Sequence, residues 1–313
     1  MAILVTGGAG FIGSHVCEKL VQLGEEVVIV DSLINSTLDN VSGILSHGRA
    51  CFYRVDVRFV DELCKVFKES SVDTVVHLAA LTDVDESVRE PSKYFDFNVN
   101  GTLSVLEACR LSDVGKVILA SSAAVYGDAG ETAVNESLRP KPMSPYATTK
   151  ICGEALVETY SRLYGFKFSI LRFFNVYGPR MFRSGYSGVI GEFIKRLFAR
   201  EPLAIYGDGE QVRDFIYVED AADAILKAIE NPLNDVFNIA SGKPTSINEL
   251  ARLLMDVAGI KCEVKYEAPK PGDIRFSLAD ISKAVEKLGW SPKTDLRVGL
   301  AFTVDWYRRE FGG

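Results

Sequence analysis

What the 313-residue chain lacks narrows its class first. No apolar run approaches the roughly 18 residues that a membrane span requires. Nothing at its start resembles a signal peptide, so the expectation is a cytoplasmic protein without a membrane anchor. Its six cysteines (Cys17, Cys51, Cys64, Cys109, Cys152, Cys262) are scattered without a CxxC pair, which argues for reduced thiols rather than disulfides or a metal site. There is no excess of base: 42 acids against 35 bases give a net charge of −7, which disfavours general binding to nucleic acid or to anionic membranes. Any phosphate site must therefore be local. No low-complexity linker and no internal repeat divides the chain, and 47% hydrophobic content supports a substantial core.

What is present begins at residue 3. Ile3, Leu4 and Val5 form a short apolar run suited to a strand buried on both faces of a parallel sheet. Glycines follow at once: Gly8, Gly10 and Gly13 fit G-x-G-x-x-G, and Gly7, Gly10 and Gly13 fit G-x-x-G-x-x-G. Either spacing describes one phosphate turn, where missing Cβ atoms let backbone approach a pyrophosphate that the next helix N-terminus stabilises. Val16, Leu20 and Leu23 mark that helix's apolar face, Gly24 ends it, and Val27 to Val30 form a second strand closing on Asp31. Asp31 lies 18 residues beyond Gly13, near the distance at which an acid meets an adenosine ribose, and its charge favours NAD over NADP.

Further strands are expected at Cys51 to Val55, Thr74 to His77, Val117 to Ala120 and Phe168 to Arg172. Their C-terminal ends would deliver Asp56 toward adenine, Ala79 and Ala80 toward a closely packed cofactor, and Ser121 and Ser122 to the same sheet edge. The segment Ser32 to Ser36, with Asn35, suits the adenosine end. His77 reads as a packed strand residue. Pro91 to Leu111 reads as one long helix with Asn98 buried and hydrogen-bonded. Tyr146 and Lys150, four apart, share one helical face. After Arg172 the alternation stops; helices are expected at Val189 to Phe198, Glu219 to Ile229, Ile247 to Val257, Ile281 to Leu288 and Val298 to Phe311, with a strand at Val236 to Ile239. The fold class is α/β: a doubly wound parallel-sheet Rossmann domain over 1–175, and a smaller C-terminal α/β lobe over 176–313 that binds substrate, some of whose chain returns to the first domain.

Seven motifs occur in order: TGGAGFIGSH from Thr6, HLAA from His77, NVNGT from Asn98, SSAAVYG from Ser121, SPYATTK from Ser144, LRFFNVYGPR from Leu171 and RDFIYVED from Arg213. Together they resemble the extended short-chain dehydrogenase/reductase superfamily and, within it, the nucleotide-sugar 4-epimerases similar to UDP-glucose 4-epimerase. The resemblance implies NAD as cofactor, with Ser122, Tyr146 and Lys150 as the catalytic triad. An ammonium about 4 Å from a phenol contributes roughly 4 kcal/mol toward phenolate at an effective dielectric of about 20. Phe11, Ile12, Val57, Leu78, Thr82, Asn98 and Phe173 would join the glycines and Asp31 around the cofactor.

On the substrate side the resemblance implies Asn175, Val189, Ala204, Tyr206, Arg213, Lys270, Asp273 and Ser277 around a UDP-sugar. Arg213 has the planar fork that suits a pyrophosphate, whereas Lys270 stands where the family often has arginine and cannot bind phosphate bidentately. Ala123 and Ala124 occupy positions where related dehydratases carry Asp-Glu and decarboxylases a glutamate, so the pattern favours 4-epimerisation without net redox change. UDP-glucose/UDP-galactose is the simplest pair. UDP-N-acetylhexosamine or UDP-glucuronate 4-epimerisation, a nucleotide-sugar reductase or dehydrogenase, and a non-catalytic NAD sensor are the alternatives. The resemblance also implies a homodimer formed through residues 91–111 and 145–164.

Overall fold

In the computed structural model, which describes residues 2–183, 188–269 and 274–312, the first half winds a parallel sheet. Its strands are β1 (Ala2–Thr6), β2 (Val27–Val30), β3 (Ala50–Tyr53), β4 (Val72–His77), β5 (Lys116–Ser122) and β6 (Lys167–Phe173). Strands β7 (Asn175–Tyr177), β8 (Leu203–Tyr206) and β9 (Val212–Tyr217) belong to smaller sheets, and β10 (Asp235–Ile239) returns to pair in parallel with β6. The resulting seven-stranded order is β10-β6-β5-β4-β1-β2-β3. Val5 pairs with Ile29 on one side and Val76 on the other. The chain order thus reverses between β1 and β4, and a crevice opens at their C-terminal ends.

Helices α1 (Phe11–Gln22), α2 (Ser42–Leu45), α3 (Val60–Ser70), α4 (Val84–Arg89), α5 (Pro91–Tyr94), α6 (Gly101–Leu111) and α7 (Pro145–Tyr164) come before the lobe; α8 (Gly188–Ala199), α9 (Val218–Glu230), α10 (Ile247–Ala258) and α11 (Leu296–Phe311) follow. Alternate strand residues feed two cores. Val5, Ile29, Val76 and Ile118 pack with Val16 and Leu20 of α1 and Ala221, Ile225 and Ala228 of α9. Leu4, Val28, Val75 and Val117 face the opposite core with Leu63 of α3, Leu106 of α6 and Val157 of α7. Alanines on α9 let it lie close along α1, so a helix from the later chain completes the first layer.

The lobe holds a sheet ordered β11-β9-β7, where β11 is Pro244–Ser246, and a parallel pair of β8 with β12 (Val264–Glu267). Its core joins Phe193, Ile194 and Leu197 of α8 to Leu250 and Leu254 of α10 and Leu300 of α11. Phe11 and Ile12, from the first turn of α1, pack against that same core. The lobe is therefore built onto the glycine turn itself.

Some boundaries differ from the sequence expectation for local reasons. β3 stops at Tyr53 rather than Val55, Ser121 and Ser122 end β5 rather than follow it, and α11 starts at Leu296 because Asp295 caps it, accepting from the Arg297 N–H at 3.0 Å. The segment 281–288 contains a wide π turn at Ala284–Leu288. The helix read over 91–111 is likewise divided by a π turn at Phe95–Asn100. That turn aims Asn98 inward: its Oδ1 accepts from Leu81 N (2.8 Å), and its Nδ2 donates to Leu81 O (3.0 Å) and Thr149 Oγ1 (3.0 Å). One amide thereby ties the end of β4 to α7. Asn98→Ala is expected to lower the unfolding free energy by about 2–3 kcal/mol in denaturant titration, whereas exposed Asn100→Ala should change it by less than about 0.5 kcal/mol.

Candidate active site

The cleft between sheet and lobe has a volume of about 1120 Å³. Its floor starts at the glycine turn. Gly7 has φ +68°, and a Cβ there would lie 2.8 Å from Ala79 N and 2.9 Å from Ala79 Cα, so the ends of β1 and β4 can meet only without a side chain. A Cβ on Gly13 would strike the Gly7 carbonyl. Gly8 instead faces Ile29 and Cys17 in the core, and of the two spacings it is Gly7, Gly10 and Gly13 that line the cleft. Gly10 caps α1 without a side-chain hydrogen bond, leaving the first N–H groups of the helix directed at an anion site.

Asp31 is buried at the end of β2; one carboxylate oxygen accepts from Ala9 N (3.1 Å), the other from Leu33 N (2.9 Å) and Ser36 Oγ (2.7 Å). Phe11, Ile12, Ser32, Asn35, Ser36, Val57, Leu78, Ala79, Ala80, Thr82 and Phe173 line the same cleft. Asp56 does not line it: its carboxylate is held by Arg58 at 2.7 Å, which also reaches Asp96. Asn98 sits behind the cleft as the strut described above. The glycine cradle, the open helix N-terminus and the pinned acid fit a dinucleotide.

Ser144 caps α7 by accepting from Ala147 N at 3.1 Å, and Pro145 supplies the preset φ of a first helical position. Tyr146 therefore falls in the first turn, one turn before Lys150. The Lys150 ammonium donates to Ala120 O at 3.0 Å and lies 5.8 Å from the Tyr146 ring centroid. Burial pushes Lys150 down to about 8, against the opposing charge of Glu154. His77, bonded to Thr6 Oγ1 (2.7 Å) and Thr102 Oγ1 (3.0 Å), is pushed down to about 3 by burial and by Lys150, so it stays neutral as scaffold. Ser122 lines the cleft at the tip of β5, its Oγ accepting from Ala124 N at 3.2 Å.

Behind these residues runs a buried polar network that sequence reasoning missed. Glu154 accepts from Ser121 Oγ (2.5 Å) and from both prongs of Arg172 (2.9 and 2.7 Å). Arg172 also donates to Tyr126 OH (3.0 Å), which donates to Asn238 Oδ1 (2.6 Å). The available signal was a charged arginine inside the largely apolar strand Phe168 to Phe173.

On the lobe side Asn175, Val189, Ala204, Tyr206, Arg213 and Ser277 line the cleft, while Lys270 and Asp273 lie outside the described residues. Arg213 Nη1 donates to Val212 O (2.9 Å) and Ile274 O (2.7 Å), and Asn175 donates to Asp214 O (2.9 Å). Asp214, also unread from sequence, is buried and raised by that burial; it accepts from Ser241 N and Oγ, Gly242 N and Ala279 N. It thus ties together the segments flanking Arg213 and Ser277. Among the described residues no cluster of His, Cys, Asp and Glu suits a metal ion, and no helix is long and apolar enough to cross a membrane.

A family model described as the NAD dependent epimerase/dehydratase family matches residues 3–240. A UDP-glucuronate 4-epimerase of Thermodesulfobacterium geofontis is 37% identical over 312 residues, covering 97% of this chain and 95% of its own. The structure of a Thermotoga maritima UDP-glucose 4-epimerase with UDP-glucose superposes with a TM-score of 0.94 at 40% identity, with 99% of each chain covered. A Methanobrevibacter ruminantium UDP-N-acetylglucosamine 4-epimerase in complex with UDP-N-acetylmuramic acid gives 0.93 at 39% identity, again over 99% of each chain. These three relatives carry three different sugar names.

The depressed Lys150 fixes a sign for stability. Between pH about 8 and about 10.5 the unfolded chain holds a proton at this lysine that the folded chain has released, so this group's contribution to stability rises with pH. In NAD-free protein, Lys150→Met is expected to be more stable than wild type by about 1–2 kcal/mol at pH 7. That margin should shrink as pH rises from about 8 to about 10, measured by denaturant unfolding of both proteins across the range.

Proposed function

Because the chain belongs to the NAD dependent epimerase/dehydratase family and uses NAD, we propose that it is a UDP-sugar 4-epimerase, most simply interconverting UDP-glucose and UDP-galactose. One observation carries this: Ser122, Tyr146 and Lys150 line one cleft, and the two positions after Ser122, which also line it, are Ala123 and Ala124 and not the acids that would assist elimination or decarboxylation there.

The glycine turn, the α1 N-terminus and Asp31 would hold NAD, which when bound accepts hydride from the sugar carbon and returns it. Tyr146, as phenolate, takes the proton of the 4-hydroxyl, and Ser122 bridges that hydroxyl. Lys150 sustains the phenolate charge and holds the nicotinamide ribose. Arg213 and Asn175 retain the diphosphate while the 4-keto-sugar turns its other face, and Tyr146 then gives the proton back. Atoms and electrons balance with no external oxidant.

Ser277 leaves room beside the sugar for an N-acetyl group, which supports UDP-N-acetylhexosamine as the second reading. Exposed Phe95, Leu103, Leu111, Leu163 and Tyr164 on the helices at 91–111 and 145–164 support a homodimer.

The purified protein, incubated with a panel of UDP-sugars and no added cofactor, should epimerise UDP-glucose in NMR, using NAD that co-purifies. Stoichiometric consumption of added NAD would point to a dehydrogenase, and absence of turnover across the panel to a sensor. Tyr146→Phe should cut turnover by about 10²–10⁴-fold with NAD still bound; near-normal turnover would remove Tyr146 from its role. Ser277→Tyr should lower the rate on UDP-N-acetylglucosamine relative to UDP-glucose by about tenfold, a difference of roughly 1.4 kcal/mol. An unchanged ratio would count against the pocket assignment.

A further inference from the structure

His15 is buried on α1, one turn beyond the glycine cradle, and takes no part in the chemistry above. Its Nδ1 lies 2.5 Å from Glu219 Oε1 of α9, and its Nε2 lies 3.1 Å from Pro179 O, in the segment that leaves β7. A carbonyl oxygen only accepts. Glu219 is held down to about 2 by His15 and Lys19 despite the opposing effect of burial, so it too only accepts. One side chain thus joins the dinucleotide helix to two separate pieces of the later chain.

The segment Gly178–Arg183 is pinned along the same face. Arg180 pairs with Glu18 of α1 at 2.5 Å, one turn from His15. Arg183 reaches Asn40 Oδ1 at 3.3 Å, and Asn40 donates to Ala9 O of the glycine turn at 2.9 Å. Arg183 also pairs with Glu310 of α11. Lys19 meets Glu219 (3.0 Å) and Asp223 (2.7 Å) on α9. Arg180 holds φ +71°, uncommon for a residue with a Cβ, and its Nη1 is buried without a hydrogen-bond partner. A segment that tolerates such costs is held by what it touches.

The position of this clasp gives it a role. Gly10, Phe11 and Gly13 line the cleft, and so do Tyr177 and Met181, which belong to the lobe core that Phe11 and Ile12 pack against. His15 and Arg183 thus join the elements that carry the dinucleotide to the segment that runs from Tyr177 to Met181 and beyond. We propose that His15, acting through Pro179 and Glu219 and seconded by Arg183, is the positioning residue that holds the dinucleotide helix against this segment and sets the rate of NAD release. This inference rests on NAD as cofactor, and is independent of which sugar is epimerised.

The test uses purified holoprotein. NAD release is followed by trapping free NAD with an excess of an NAD-reducing dehydrogenase, and UDP affinity is measured in parallel by calorimetry. His15→Ala is expected to release NAD at least about tenfold faster than wild type, equivalent to about 1.4 kcal/mol or more. His15→Gln, which retains a donor, should fall between the two, and UDP affinity should stay within about twofold of wild type in every variant. Arg183→Ala, whose side chain is partly exposed, should also accelerate release and carries the test if His15→Ala does not fold. Release at the wild-type rate in the folded variants, or wild-type release as fast as theirs, would overturn the proposal. So would a parallel loss of UDP affinity, which marks general loosening. Failure of the epimerase reading would appear separately, as no turnover in a wild type that still retains NAD.

Discussion

An ammonium set half-buried in the floor of the cleft is the constraint that the surrounding structure serves. Lys150 cannot keep its charge there without compensation, since removing an ammonium from water is costly. The compensation is spread over several elements: the Ala120 carbonyl accepts its proton, and Glu154 one turn on supplies opposite charge. His77, close enough to add a second positive charge, is held neutral between two threonine hydroxyls. Glu154 in turn needs Arg172, which needs Tyr126, which is oriented by Asn238. A charge required beside one phenol has thus recruited partners from β5, β6, β10 and α7. The seventh strand does more than lengthen the sheet, because it supplies the last member of that chain.

The same economy appears where the two halves of the molecule meet. α1 carries the phosphate-facing N–H groups on its first turn, and Phe11 and Ile12 of that turn pack, partly buried, against the lobe's core. Rossmann domain and lobe therefore share a structural element instead of merely touching, and α9 repeats the arrangement from the other side by packing on α1 under the sheet. A cleft built this way has a stiff cofactor half, since moving α1 would disturb two cores at once.

Much of this was legible in the sequence wherever the physical cause is local. The glycine turn announces itself because Gly7 and Gly13 answer a steric demand within a few residues. Tyr146 and Lys150 are readable because Ser144 and Pro145 fix the helix start and the four-residue spacing does the rest. What stayed hidden depends on pairings across long stretches of chain. Arg172 and Glu154 are 18 residues apart on different elements, and His15 meets Pro179 and Glu219 only after the lobe has folded back. Asp56 is a different case: an acid at a strand end suggests a ligand, and Arg58, two residues on, pairs with its carboxylate. The π turn at Phe95–Asn100 is likewise set by a distant need, the Leu81 backbone that Asn98 must satisfy.

The distribution of directional contacts follows from the proposed chemistry. A cofactor that lends hydride and takes it back has no reason to leave between turnovers, and the cofactor side of the cleft carries the dense ties: Asp31 to three donors, His15 to Glu219 and Pro179, Arg183 to the turn through Asn40. A sugar that must present both faces to one phenol needs the opposite, space and few fixed partners. The cleft around Ser122 and Tyr146 supplies it with Ala123, Ala124 and Ser277, small residues whose side chains leave room for a turning ring. On the proposed reading, holding the nucleotide through the lobe while leaving the sugar loosely bounded would let one triad serve both directions.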